Sequence, residues 1–317
     1  MHFLKKVALM RLDGIGGTVT LSDLAKKVKE FTDYNITLII RKYSELFTSN
    51  PYIDNIIEVD KQDWRECFKY YRYKYDTLCE LRYTAARWYN QSFDTNYHEQ
   101  LQFIYDNHMV YRTPRIVSIF DTESLELHQT QMVNLSLGLP YDSIDIKVFS
   151  DRSIGGLPKK YLVINNGIDE IHGKMKQTKM WHTKNWEELV SSQNLPVIQV
   201  GTSNDDPIKG TIDLRGKTSI LQLIYILKKA SAVICTEGGI MHLAYASETN
   251  NVLVLQGPTA AYEFTYPGHK ILRPYTCSGC WYSTPHWFYE CPKQIDNICM
   301  KSITPERVTN TLSEMLL

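Results

Sequence analysis

Short apolar, β-branched runs that end in polar or glycine residues recur along the chain, and segments with helical spacing separate them. VALMR (7–11), ITLII (36–40), NIIEVD (55–60), DTLCEL (76–81) and RIVSIF (115–120) fall in the first half; YLVINNG (161–167), PVIQVG (196–201), SAVICTEGG (231–239) and NVLVLQGP (251–258) fall in the second. Leu21, Leu24, Ala25, Val28 and Phe31 mark one intervening helix, and others are expected near 184–193, 218–230 and 240–248. Strands that alternate with helices predict parallel sheets with helices covering their faces. The pattern pauses at SDRSIGGLPKK (150–160), a Gly/Pro/Ser stretch that reads as a linker. The expectation is therefore an α/β chain of two doubly wound domains, 1–155 and 156–317, facing each other across that linker. The aromatic-rich stretch 86–113 has no clear period and reads as an irregular helical excursion on the first domain, with an acceptor-binding lip as the alternative.

With 317 residues, 43% of them hydrophobic, the chain can bury two such cores. Lys+Arg and Asp+Glu balance at 35 each, so no global field favours nucleic acid or an anionic membrane. No apolar run approaches the roughly 20 residues of a membrane helix. The start, MHFLKKVALMR, is charged too early for a signal peptide, which predicts a cytoplasmic protein.

Ligands of open parallel sheets bind beyond the carboxyl ends of strands, where helix N-termini present unpaired N–H groups. Three strand-to-helix junctions stand out. In SAVICTEGGIMHLAYAS (231–247), Gly238 and Gly239 allow close backbone approach, Glu237 can accept from sugar hydroxyls and His242 can donate to a phosphate oxygen; a tight turn with a core histidine is the alternative. After YLVINNG, Lys179 and Trp181 precede a helix expected to start near Thr183 or Lys184, and the lysine could meet a diphosphate or be an ordinary surface charge. The third junction is RLDGIGGTVTLSDL (11–24), which has the look of a phosphate cradle.

Seven cysteines divide into two groups. Cys67, Cys79 and Cys235 lie in apolar or mixed segments and are expected to be buried thiols. Cys277, Cys280, Cys291 and Cys299 form a C-x2-C-x10-C-x7-C set. Four thiolates suit structural zinc or iron, with free or weakly paired thiols as the alternative.

Taken in order, RLDGIGG, NPYIDNIIEVD (50–60), TKMWHTKNWEELV (178–190), the run 213–247, VLQGPT (254–259) and the cysteine-rich tail with its final helix make the chain resemble glycosyltransferase family 9, the ADP-heptose:lipopolysaccharide heptosyltransferases. The resemblance implies a GT-B fold, with an N-terminal acceptor domain, a C-terminal donor domain and a final helix that packs back on the first. It implies inverting transfer of a heptose or related sugar from a nucleotide-diphosphate donor, ADP-heptose above all, to a glycan or glycolipid hydroxyl in cell-surface polysaccharide synthesis. No cofactor is implied for transfer, no nucleic acid as partner, and a peripheral place at the inner membrane.

Carried over residue by residue, the family's donor site falls on Lys179, Glu237, Gly238, Gly239 and His242, with Thr218 beside the nucleoside and Asn166 near the diphosphate. Two positions depart from the family pattern. Its usual Asp-Thr or Asp-Ser is Glu237-Gly238, and the aspartate taken as general base, the last residue of R-x-D-x-I-G-D, is Gly17. Asp13, in the same loop, is the nearest substitute base, and a loop-capping aspartate is the alternative. A non-catalytic nucleotide-sugar binder and a nucleotide-sugar epimerase of the same fold remain the competing functions. A dehydrogenase is disfavoured, because ITLII ends in Arg41 and Lys42 where an acidic residue would read the ribose.

Overall fold

The computed structural model describes residues 5–60, 63–82, 85–90, 127–137, 139–167, 177–259, 264–275, 277, 279–280, 283–284 and 286–317. The expected strand at 115–120 and the aromatic stretch beyond residue 90 lie outside them. The chain divides into two compact units, Met1–Ser150 and Asp151–Leu317.

In the first unit, β1 (Lys6–Arg11) leads through α1 (Ile15–Val19) and α2 (Leu21–Phe31) to β2 (Asn35–Ile40) and β3 (Asn55–Glu58). There follow α3 (Trp64–Tyr71), β4 (Thr77–Arg82), β5 (Ala85–Asn90) and α4 (Gln129–Ser136). The sheet order is β3-β2-β1-β4-β5. The first four strands are parallel, with Leu9 level with Leu38 and Cys79, and β5 returns antiparallel to β4. Ala8, Met10, Ile39, Leu78, Phe68 and Tyr89 pack on one face. Leu21, Leu24, Ala25 and Val28 of α2 are buried, as the helical spacing predicts, whereas Phe31, the last of that series, ends the helix exposed.

A buried ion pair ties this unit together. Asp23 and Lys27, one helical turn apart on α2, are both almost fully buried. The Asp23 carboxylate accepts from Lys27 Nζ at 3.2 Å, Asn134 Nδ2 of α4 at 2.7 Å and the Asp145 N–H at 2.6 Å. Lys27 Nζ also donates to the Ser143 carbonyl at 2.7 Å. Burial raises the Asp23 pKa above the ordinary carboxylate range against the pull of these partners.

The second unit runs β6 (Leu162–Asn165), α5 (Thr183–Ser191), β7 (Val197–Gln199), β8 (Ile212–Asp213), α6 (Ile220–Lys229), β9 (Ala232–Thr236), α7 (Gly239–Ala246), β10 (Val252–Leu255), β11 (Lys270–Leu272), α8 (Ile298–Lys301) and α9 (Pro305–Met315). All six strands are parallel in the order β11-β10-β9-β6-β7-β8. Counted from its own first strand, that is the 3-2-1-4-5-6 order of a dinucleotide-binding sheet. The central strands are buried along their length, as continuous apolar runs such as VLVL require. Trp181, Trp186, Ile234, Leu253, Met300 and Leu312 share one core, and α9 packs on α5 of the same unit.

Candidate active site

In the second unit the strand order reverses between β6 and β9, so the crevice for a ligand opens at the carboxyl ends of those two strands. There β9 ends and the chain passes through Glu237 and Gly238 into α7, which carries His242. Gly238 offers no side-chain cap to α7, and a Cβ built on it would find nothing nearer than the Thr236 carbonyl oxygen at 4.0 Å. Free space thus adjoins the positive end of the helix dipole, a suitable setting for a phosphate.

Lys179 comes to this corner from the segment ahead of α5. Its ammonium forms an ion pair with the Glu237 carboxylate, and both side chains are largely buried. The structure thus joins two of the residues singled out from sequence. The segment is anchored on either side of the lysine. The Thr178 N–H donates to the Phe288 carbonyl and its hydroxyl to the Trp287 carbonyl, both at 2.9 Å, while Trp181 Nε1 donates to the Ile303 carbonyl at 2.6 Å. The rings of Trp287 and Phe288 stand 5.7 and 6.0 Å from the Lys179 ammonium. His182, the N-cap of α5, accepts the Lys184 N–H, which fixes where that helix starts.

His242 lies on the same helix corner, its Nδ1 2.5 Å from the Tyr266 hydroxyl. Tyr266 stacks on Tyr245 with ring centroids 4.0 Å apart, and His269 packs edge-on against both. The other two carried-over residues are positioned differently. Asn166 follows β6 and spans to the loop after β7, donating to the Asp206 carbonyl and accepting from Gln199 Nε2, both at 2.8 Å. Thr218 stands half-buried one residue ahead of Ser219, which caps α6 through a reciprocal pair of bonds with Gln222. Beside Asn166, the Asp205 carboxylate fills the space that side chains at Gly167 and Gly201 would need, and it accepts the Thr202 N–H at 2.7 Å. Sequence reading missed it because nothing in the spacing links residues so far apart.

In the first unit, the order reverses between β1 and β4, and the loop after β1 is RLDGIGG. Arg11, at the end of β1, donates through Nε to both Asp13 oxygens at 2.9 and 2.8 Å, and through Nη1 to the Thr20 hydroxyl at 2.8 Å. The Thr20 hydroxyl donates in turn to the Gly17 carbonyl at 2.6 Å. A Cβ built on Gly17 would run into the Asp13 carboxylate. The carboxylate delivered from residue 13 therefore occupies the space a side chain at 17 would take.

The four tail cysteines line one small cavity together with Thr178 and Pro258. Burial pushes the Cys299 thiol up to about 11 and raises Cys280 too. At Cys291 burial acts the same way, but N–H groups of Ile295, Asn297, Lys293 and Gln294 outweigh it and bring the thiol below its ordinary value. Among the described residues, no group of three or more His, Cys, Asp or Glu converges tightly enough to hold a metal ion. Cys67, Cys79 and Cys235 are buried thiols outside any disulfide, as expected.

The model of glycosyltransferase family 9 (heptosyltransferase) matches residues 83–273. The chain belongs to this family. It is a glycosyltransferase with the mixed α/β, GT-B-like fold of solved family 9 structures. ADP-heptose LPS heptosyltransferase II of E. coli is similar over 98% of each chain, with 14% identity and a TM-score of 0.62. The iron-containing dodecameric glycosyltransferase TibC of enterotoxigenic E. coli is similar over 98% of this chain and 78% of its own, with 15% identity and a TM-score of 0.67. TibC was also solved in complex with ADP-D-β-D-heptose, where it is 17% identical over 99% of this chain and 77% of its own, again with a TM-score of 0.67. No curated protein sequence matches. Among the described residues, no helix of this family 9 chain is long and apolar enough to cross a membrane.

Proposed function

We propose that this family 9 enzyme transfers a heptose or related sugar, with inversion, from an ADP-linked donor to a hydroxyl of a glycan or glycolipid. The observation that carries the reading is the pairing of Lys179 with Glu237 at the open N-terminus of α7. Donor diphosphate entering there would exchange the Glu237 partner of Lys179 for phosphate oxygens. Glu237, released from the pair, would accept from sugar hydroxyls, and the first N–H groups of α7 would face the diphosphate. The similarity to TibC, solved with ADP-D-β-D-heptose, supports an adenine nucleotide heptose as donor.

In the step itself the acceptor oxygen bonds to the anomeric carbon as the bond from that carbon to the diphosphate oxygen breaks. The electron pair leaves on ADP, whose charge Lys179 and the α7 dipole offset, and the acceptor proton goes to a base. We assign the base to Asp13. Its carboxylate fills the space of the Gly17 side chain, and Arg11 fixes its direction. That geometry favours an active enzyme over a binder that lost its base. We propose that Cys277, Cys280, Cys291 and Cys299, which line one cavity but do not converge on a point, would have to close together to hold one structural ion, zinc or iron, away from the chemistry. A shared cavity, four soft donors and N–H groups directed at Cys291 suit such an ion, and TibC is iron-containing.

A panel of ADP-, GDP- and UDP-sugars tests the donor, with released nucleotide and product stereochemistry as readouts and metal content measured on the same sample. ADP-heptose turnover with an inverted product is expected. Folded protein that neither binds nor turns over any ADP-sugar contradicts the proposal.

A further inference from the structure

The cysteine-rich segment also reaches the proposed donor site, in a way the sequence motifs do not assign. Thr178 is held by two hydrogen bonds to the carbonyls of Trp287 and Phe288, more than a hundred residues away. The next residue, Lys179, presents its ammonium to the rings of those same two residues and to the Glu237 carboxylate. Cys291, three residues beyond Phe288, lines the cavity that Thr178 also lines. The ammonium is thus bounded by a carboxylate on one side and by two aromatic rings on another. The rings attract a cation at this range, and they are carried on backbone that is bonded to the lysine's own neighbour.

We infer that Thr178, Trp287 and Phe288 are positioning residues for Lys179, setting its ammonium at the donor corner before the diphosphate arrives. When donor replaces Glu237 as the partner of Lys179, the side chain does not have to be ordered from a free state; part of the entropic cost of fixing a long cationic chain has been met in the resting protein. This inference rests on the reading of Lys179 as the diphosphate residue.

The test is titration of ADP into the full-length protein, by calorimetry, for Phe288→Leu and Thr178→Val, each made in the parent and in a Lys179→Ala background. Each single change is expected to weaken ADP binding by about three- to tenfold, the range of a partly desolvated cation–π contact. Phe288→Tyr and Thr178→Ser, which keep the ring and the hydroxyl, are expected to bind like the parent. In the Lys179→Ala background neither Phe288→Leu nor Thr178→Val changes affinity further. Equal weakening in both backgrounds, or no weakening in the parent, overturns the positioning role alone. Unchanged ADP affinity in Lys179→Ala itself overturns the diphosphate reading and the positioning role with it. If Phe288→Leu fails to fold, the Thr178→Val pair decides the same question.

Discussion

If Asp13 is the base because its carboxylate occupies the Gly17 space, then adding a single methyl group at residue 17 should damage the chemistry while leaving the fold intact. Gly17 lies within α1 without a positive φ, so alanine is compatible with its backbone and favours the helix by about 1 kcal/mol. Its Cβ would meet the Asp13 carboxylate, which must swing away from Arg11. Losing a hydrogen bond to a charged group costs about 1.5–3 kcal/mol, so Gly17→Ala should fold with stability within about 2 kcal/mol of the parent. Misplacing a reacting group by about 1 Å costs on the order of 10²-fold in rate, and that is the expected loss of kcat. Asp13→Asn removes the base and should lose about 10²–10⁴-fold, or about 2.7–5.4 kcal/mol of transition-state stabilisation. Both changes lie in the first unit, while Lys179 and Glu237 belong to the second, so ADP affinity should hold. Gly17→Asp puts a carboxylate where the family pattern has one but expels Asp13, and should not exceed the parent rate. The assay is steady-state nucleotide release with saturating acceptor, beside thermal melting. Parental kcat in Asp13→Asn refutes the base, and parental kcat in Gly17→Ala refutes the spatial argument.

Three further outcomes follow from the packing and the charges. Lys27→Met leaves the Asp23 carboxylate buried without its cation and should cost about 3–5 kcal/mol in urea unfolding, partly recovered by adding Asp23→Asn; a cost below about 1 kcal/mol contradicts the buried pair. His269 is pulled from 6.5 to about 4 by burial and by nearby His242, so the folded state stays neutral where the unfolded chain takes a proton. Stability should therefore fall as pH drops from about 6.5 to about 4, by up to about 3 kcal/mol, and His269→Phe should flatten that slope. Gly257→Ala drives a Cβ into the Met300 thioether and to 3.3 Å from Cys299 Sγ; it should destabilise by about 1–3 kcal/mol and lower any metal content, both read on one preparation.

The strands of the second unit were legible because a parallel strand buried on both faces must be apolar throughout, as SAVICT and VLVL are. The helix start expected near Thr183 or Lys184 matches α5 and the one near 218 falls just ahead of α6; the caps that fix them, His182 and Ser219 with Gln222, emerge only from the structure. Strand order was not legible, because which strand lies beside β6 is set by long-range pairing that no local pattern encodes. The same limit applied at the site. The sequence motifs gave Lys179 and Glu237 separately, and only the fold makes them partners. Reading RLDGIGG as a line of residues found a missing carboxylate at 17; in space, Asp13 fills it. Trp287 and Phe288 read as part of a cysteine-rich tail, and nothing in their spacing pointed to a lysine so distant in the chain.

Hydrogen exchange with and without ADP-heptose asks which of the two glycine-rich corners takes the donor. Slowed exchange is expected at residues 178–181 and 236–246, with the N–H groups of the α7 first turn most affected, and the effect should weaken in Lys179→Ala. Slowing centred instead on residues 11–20, with the α7 corner unchanged, would contradict this expectation and return the nucleotide to the opening loop.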